Sequence, residues 1–132
     1  MKKGEIVRVI SDILSKRDEI LFAYIFGSFI VQEDYKDIDI GIYLKNFEDI
    51  DPLKYELSLE RELEDKVKIP FDVRVINNAP LGFIYNVIKE KIIVLDRDDD
   101  FRADFESIIL REYFDYKHLI MEYLKELKNA PI

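Results

Sequence analysis

Gly27-Ser28 and Asp37-Ile38-Asp39, separated by the eight residues Phe29 to Lys36, are the residues whose types and spacing can do chemistry. In a β-strand, residues i and i+2 share a face with Cα atoms ~6.5–7 Å apart. Two carboxylates placed this way repel each other, and if buried together one tends to stay protonated. Divalent cations remove that conflict, because two hard ions ~3.5–4 Å apart can be bridged and flanked by such a pair. Asp72, on the polar side of the next strand pattern, completes a candidate set of three. Oxygen-only ligation by Asp37, Asp39 and Asp72 favours Mg²⁺ or Mn²⁺ over zinc. Upstream, Gly27 permits a sharp turn and close approach of the backbone to a ligand. Amide N–H groups at the helix start that follows, together with the Ser28 hydroxyl, suit a phosphate. A phosphate cradle at Gly27 and Ser28 beside a metal-binding carboxylate set points to phosphoryl or nucleotidyl transfer.

The rest of the composition narrows the alternatives. The chain has 132 residues, no Cys and one His. Thiolate chemistry, disulfides and Cys-based zinc sites are excluded, and a lone His118 leaves little for Ser–His–Asp or multi-histidine metal chemistry. Lys plus Arg number 20 against 28 Asp plus Glu, a formal net charge of −8. A duplex nucleic-acid grip, which needs a basic face, is not expected. No apolar run approaches the ~18 residues of a membrane span, and no apolar signal core follows the charged start, so a cytoplasmic protein is expected. Length argues for a single domain over 1–132, with a core at about 4–97 and a helical segment at about 98–130.

Periodicity supplies the elements that must position these residues. Ile6, Val9, Ile10, Ile13 and Leu14 recur at helical spacing, predicting a helix over about 4–18. Leu21 to Phe26 is apolar throughout and reads as a buried central strand ending at Gly27. Asp37 to Leu44 alternates, with Ile38, Ile40, Ile42 and Leu44 on one side and Asp37, Asp39, Gly41 and Tyr43 on the other. Asp51-Pro52 is an N-cap followed by Pro at the first helical position, and Tyr55, Leu59, Leu63 and Val67 carry that helix to about Lys68. Phe71, Val73 and Val75 mark a third strand, residues 81–89 a short helix, Lys91 to Leu95 a fourth strand, and about 99–128 a long final helix. This order predicts an α/β fold with helices covering a small sheet. The second and third strands carry the carboxylates on their polar sides and are expected to be neighbours.

Other polar residues have plainer readings. Arg74 shares a face with Asp72 and is expected to pair with it. Asp96, Asp98, Asp99 and Asp100 precede a helix and suit capping and its dipole better than a metal. His118 falls mid-helix, where a lone histidine makes no site. The final helix carries Leu110, Tyr113, Phe114, Tyr116, Leu119, Ile120, Met121 and Tyr123 on more than one stripe. At ~1.5 Å per residue it outruns a domain of this size. It must either break near Tyr116 and fold back, or leave apolar surface for a partner chain or a homo-oligomer.

Gly27-Ser28 with Asp37-Ile38-Asp39 resembles the Gly-Ser and Asp-x-Asp signature of the DNA polymerase β-like nucleotidyltransferases. Within them, the chain is similar to the minimal nucleotidyltransferases of the MntA-like antitoxins that accompany HEPN toxins. Phe71-Asp72-Val73, Asn77-Asn78-Ala79-Pro80-Leu81 and Lys91 to Leu95 extend the likeness, as does Arg111 to Lys117, so that it covers about residues 20–125. The spacer Phe29–Lys36 is shorter than is usual there, without Gly, and Lys36 replaces the Ser that commonly precedes Asp-x-Asp. The resemblance implies a nucleotidyltransferase fold, a small mixed β-sheet flanked by helices, that binds ATP with Mg²⁺. Gly27 and Ser28 would hold the triphosphate, and Asp37, Asp39 and Asp72 the metals. Asp72 would also help deprotonate the acceptor hydroxyl. It further implies AMP transfer to a tyrosine of a HEPN-type toxin. Two other readings stay open: a binding module that neutralises its partner by occlusion, and a transferase acting on a small hydroxylated molecule.

Overall fold

The apolar spacings resolve into alternating helices and strands in the computed structural model, which describes residues 1–130. The elements are α1 (Lys3–Ser15), β1 (Ile20–Phe26), α2 (Ser28–Val31), β2 (Ile38–Leu44), α3 (Pro52–Val67), β3 (Phe71–Val75), α4 (Leu81–Lys89), β4 (Lys91–Asp96) and α5 (Asp99–Asn129). A 3-10 turn, Phe47–Asp49, lies between β2 and α3. The strands form one sheet in the order β3-β2-β1-β4. β1 runs antiparallel to both β2 and β4, and β2 runs parallel to β3, the neighbour expected for it. A parallel pair needs a crossover, and α3 supplies it. Asp51 caps that helix by accepting from the Leu53 and Lys54 amides at 3.1 and 3.3 Å, ahead of Pro52. Lys68 stops it in the left-handed region at φ 67°.

Both faces of the sheet are covered. On one face, Ile6, Ile10 and Leu14 of α1 and Leu59 and Leu63 of α3 pack with Ile25, Ile38, Ile40, Ile42 and Leu44. On the other, Ile84, Val87 and Ile88 of α4 and Ile109 of α5 pack with Phe22 and Tyr24. This second face differs from its sequence reading. Only the first rung of β2 there is open. Gly41 lies under α4, so closely that a Cβ on it would sit 3.3 Å from both Ile76 Cγ2 and Val87 Cγ1. Tyr43 stacks on Phe22 with centroids 4.9 Å apart. A glycine and a tyrosine in an alternating strand look solvent-facing, but the small residue admits a helix and the ring fills the gap beside it.

β3 is an edge strand, and its free edge is occupied. Glu56, Glu60 and Glu64, one per turn of α3, accept hydrogen bonds from the amides of Val75, Val73 and Phe71 at 2.8, 3.0 and 2.9 Å. At the other edge, α5 is tied down by a polar network. Tyr24 donates to Glu106 at 2.6 Å, and Arg102 donates to Asp96 and Glu106 at 2.7 and 2.8 Å. Asp98 caps α5 through the Phe101 amide at 3.0 Å. The acidic run at 96–100 thus serves capping and ion pairing. Among the described residues no buried side-chain nitrogen or oxygen lacks a partner. Among the described residues no helix is long and apolar enough to cross a membrane.

Candidate active site

The site is built where β1 ends and β2 and β3 begin. In the antiparallel ladder Phe26 faces Asp39. In the parallel ladder Asp39 faces Asp72. Side chains directly opposite on neighbouring strands share a face, so two of the three predicted carboxylates are adjacent by register. Asp37 lies in the bend just before β2, one residue outside the strand expected to contain it, and is exposed. Strand pairing starts at Ile38, whose amide donates to the carbonyl of Pro70 at 3.0 Å. Asp37 remains within electrostatic reach of Asp39.

Gly27 closes the top of this row. Its backbone, at φ 79° and ψ −154°, occupies a region essentially reserved for glycine. A Cβ there would collide with Oδ2 of Asp39 and lie 3.1 Å from its Cγ. Both the turn and the space over the carboxylate therefore require glycine. Gly27 is the N-cap of α2 and Ser28 its first residue. Ser28 is thus not needed as the helix cap and sits directly beside the row of carboxylates.

The electrostatics follow from this crowding. Burial, then the negative charges of Asp37 and Asp72, push the Asp39 carboxyl up to about 6, with Arg74 offsetting part of the effect. Arg74 donates from Nε to Oδ1 of Asp72 at 2.9 Å, the pairing expected from their shared face. One guanidinium beside three carboxyl groups leaves the cluster short of positive charge. Such an oxygen-only donor set fits a hard divalent cation. Asp39 and Asp72 are paired by register, while Asp37 lies outside the ladder. Among the described residues, no three His, Cys, Asp or Glu side chains are grouped so as to hold a metal ion by themselves.

A few residues near this row were not singled out from the sequence. The edge-capping glutamates of α3 were visible only as an i, i+4, i+8 spacing on a helix whose apolar stripe drew attention instead. Phe83 of α4 meets Phe26 edge-on with centroids 5.9 Å apart.

A mixed sheet with helices on both faces, a glycine turn over an Asp-x-Asp row and a third Asp on the adjoining strand define a nucleotidyltransferase architecture. The family model for "Polymerase beta, Nucleotidyltransferase" matches residues 8–100, and the chain belongs to that family. Comparison with curated proteins gave no match. Solved structures share the fold over nearly the whole chain. One is the tri-AMPylated Shewanella oneidensis HEPN toxin in complex with MNT antitoxin, with a TM-score of 0.71 at 15% identity, covering 96% of this chain and 99% of that one. The MntA-HepT toxin–antitoxin structure gives 0.70 at 14% identity, covering 95% and 98%. A toxin–antitoxin structure with AMP-PNP gives 0.61 at 17% identity, covering 98% of each.

Proposed function

We propose that this chain transfers AMP from ATP to a hydroxyl of a protein partner, a tyrosine of a HEPN-type toxin, and silences that toxin as its antitoxin. The observation that carries this reading is the register that sets Asp39 opposite Asp72 beneath the Gly27 turn. Likeness in fold to MNT antitoxins, in structures that include an AMPylated toxin and a nucleotide analogue, supports the choice of partner and donor.

The assigned roles follow from position. Gly27 leaves the backbone bare for the triphosphate, and the Ser28 hydroxyl donates to a phosphate oxygen. Asp37 and Asp39 would hold Mg²⁺, or Mn²⁺ in its place, with Asp72 contributing from the acceptor side. When bound, the metal supplies positive charge to offset that on the phosphates. The acceptor oxygen attacks the α-phosphorus, its proton passes to Asp72, and the bond to the β-phosphate oxygen breaks to release pyrophosphate. Arg74 holds Asp72 in place before the ligands arrive. The second half of α5, exposed throughout and rich in apolar side chains, is assigned to partner contact.

The test is intact-mass analysis of a HEPN-type toxin after incubation with the chain, ATP and Mg²⁺. The toxin is expected to gain one or more adenylyl groups with wild type and none with Asp39→Asn. A toxin that is inhibited yet unmodified, by a chain that binds no ATP, overturns the transferase reading in favour of occlusion.

A further inference from the structure

A transfer site needs a seat on each side of its carboxylates, one for the donor and one for the acceptor. Strand order fixes which side is which. Gly27 lies at the end of β1, on one side of Asp39, and Asp72 lies on the edge strand β3, on the other. The side beyond Asp72 is not flat. A cleft of about 350 Å³ opens there, lined by Glu56, Arg74, Val75, Ala79, Pro80 and Phe83. It sits one rung along from the carboxylates, because Arg74 and Asp72 are two apart on β3 and joined through Nε and Oδ1.

The lining selects a kind of ligand. Phe83, Pro80, Ala79 and Val75 make apolar walls, and the Phe83 ring is steadied by its edge-on contact with Phe26. Arg74 stands on the rim, 56% exposed at the side chain, with its Nε held by Asp72 and the face of its guanidinium able to lie against a ring. Glu56 closes the far side, its Oε2 already engaged by the Val75 amide at 2.8 Å. Apolar walls with a planar cation at the mouth suit a flat aromatic ring bearing one polar group. Two rings are available to a nucleotidyltransferase, the base of the donor and the side chain of the acceptor. The strand residues that line the cleft, Arg74 and Val75, come from β3, the strand of Asp72, and none come from β1, and this favours the acceptor.

We infer that the Phe83–Arg74 cleft is the acceptor subsite, seating a tyrosine side chain of the partner with its hydroxyl directed at Asp72. This rests on the transferase reading above, and the measurements are chosen to separate the two. The probe is N-acetyl-L-tyrosinamide, titrated into the full chain and followed by NMR at the Phe83 ring and Ala79 methyl. MgATP binding is measured in parallel by calorimetry. Saturable shifts are expected at those two residues. Phe83→Ala, which removes the wall, and Ala79→Phe, which fills the cleft, should each weaken the tyrosinamide by about tenfold. Neither should change MgATP affinity by more than about twofold. Two variants of opposite volume keep the test independent of either one's stability. MgATP binding without shifts in the cleft overturns the acceptor subsite and leaves the transferase reading standing. Variants that weaken MgATP rather than tyrosinamide reassign the cleft to the base and overturn the inference. An absence of MgATP binding sinks the transferase reading, and the acceptor role with it, whatever the cleft binds.

Discussion

At neutral pH, Asp39 carries a charge that its surroundings disfavour. Burial is the largest cause, followed by Asp37 and Asp72, and together they raise its carboxyl to about 6. The unfolded chain releases that proton near the ordinary value of about 3.9. Between these two values the folded state holds more protons, so stability falls as pH rises through the window. The penalty is absent below about pH 4 and complete above about pH 6. Asp39→Asn is therefore expected to stabilise the metal-free protein at pH 7 by about 1 kcal/mol after allowance for solvent screening, and to have no such effect at pH 4. Denaturant melts at the two pH values measure both. Mg²⁺ should stabilise wild type at pH 7 for the same reason and leave Asp39→Asn nearly unchanged. Gly27→Ala is the complementary change. It adds a Cβ against the Asp39 carboxylate at a positive φ, so we expect a loss of at least about 1 kcal/mol in stability, and at least about a hundredfold in transfer rate. Much of this was legible in the sequence, because Asp-x-Asp spacing fixes a shared face. The position of Asp37 just outside the strand was not, since a bend before the first ladder bond leaves the alternation pattern unchanged.

Strands expose the difference between pattern and partner. The 3-10 turn Phe47–Asp49 left no pattern to read, but the four strands and the longer helices could be placed from periodicity and capping, and the β2–β3 neighbourhood from the carboxylates. The full order β3-β2-β1-β4 could not, because hydrophobic alternation specifies a face and not a neighbour. The covered second face was misread for the same reason, with Gly41 and Tyr43 polar or small by type yet packed under α4 and against Phe22. The edge of β3 shows a device that only pairing reveals. Its three outward amides meet Glu56, Glu60 and Glu64 instead of another chain, which blunts an edge otherwise ready to template aggregation. Glu60→Ala leaves the Val73 amide without its partner and is expected to cost about 1–2 kcal/mol. Glu60→Gln keeps an acceptor oxygen and should recover most of that loss. Arg61→Ala, on the exposed side of the same helix, should change little. Thermal melts rank the three, and light scattering after mild heating should rise for Glu60→Ala alone.

The domain ends where Tyr113 stacks on Tyr85, with centroids 3.7 Å apart and planes within 4°. From Phe114 to Ala130 every residue is exposed. The break near Tyr116 that would have folded this segment back does not occur, and the reason is in the sequence, which has neither Gly nor Pro between Asp99 and Ala130. An isolated helix this short is marginal in water. Its helicity is therefore inherited from the first half of α5, which Asp98 caps and the Arg102–Glu106–Tyr24 network anchors. Leu119 at 66% and Met121 at 61% exposure bury almost nothing against the domain. Removing residues 116–132 should thus shift the global unfolding free energy by less than about 1 kcal/mol and leave MgATP binding intact, since Asp37, Asp39 and Asp72 all lie before Val73. What it should remove is association with the partner. On gel filtration the full chain is expected to co-elute with a HEPN-type toxin, and the truncated chain to elute alone. If the proposed transfer holds, adenylylation should fall with it, through a raised KM more than a lowered kcat, because the protruding helix is assigned to partner contact and Asp72 to the acceptor hydroxyl. A truncated chain that still co-elutes would move the partner's footing from α5 to the sheet edge around Phe83 and Arg74.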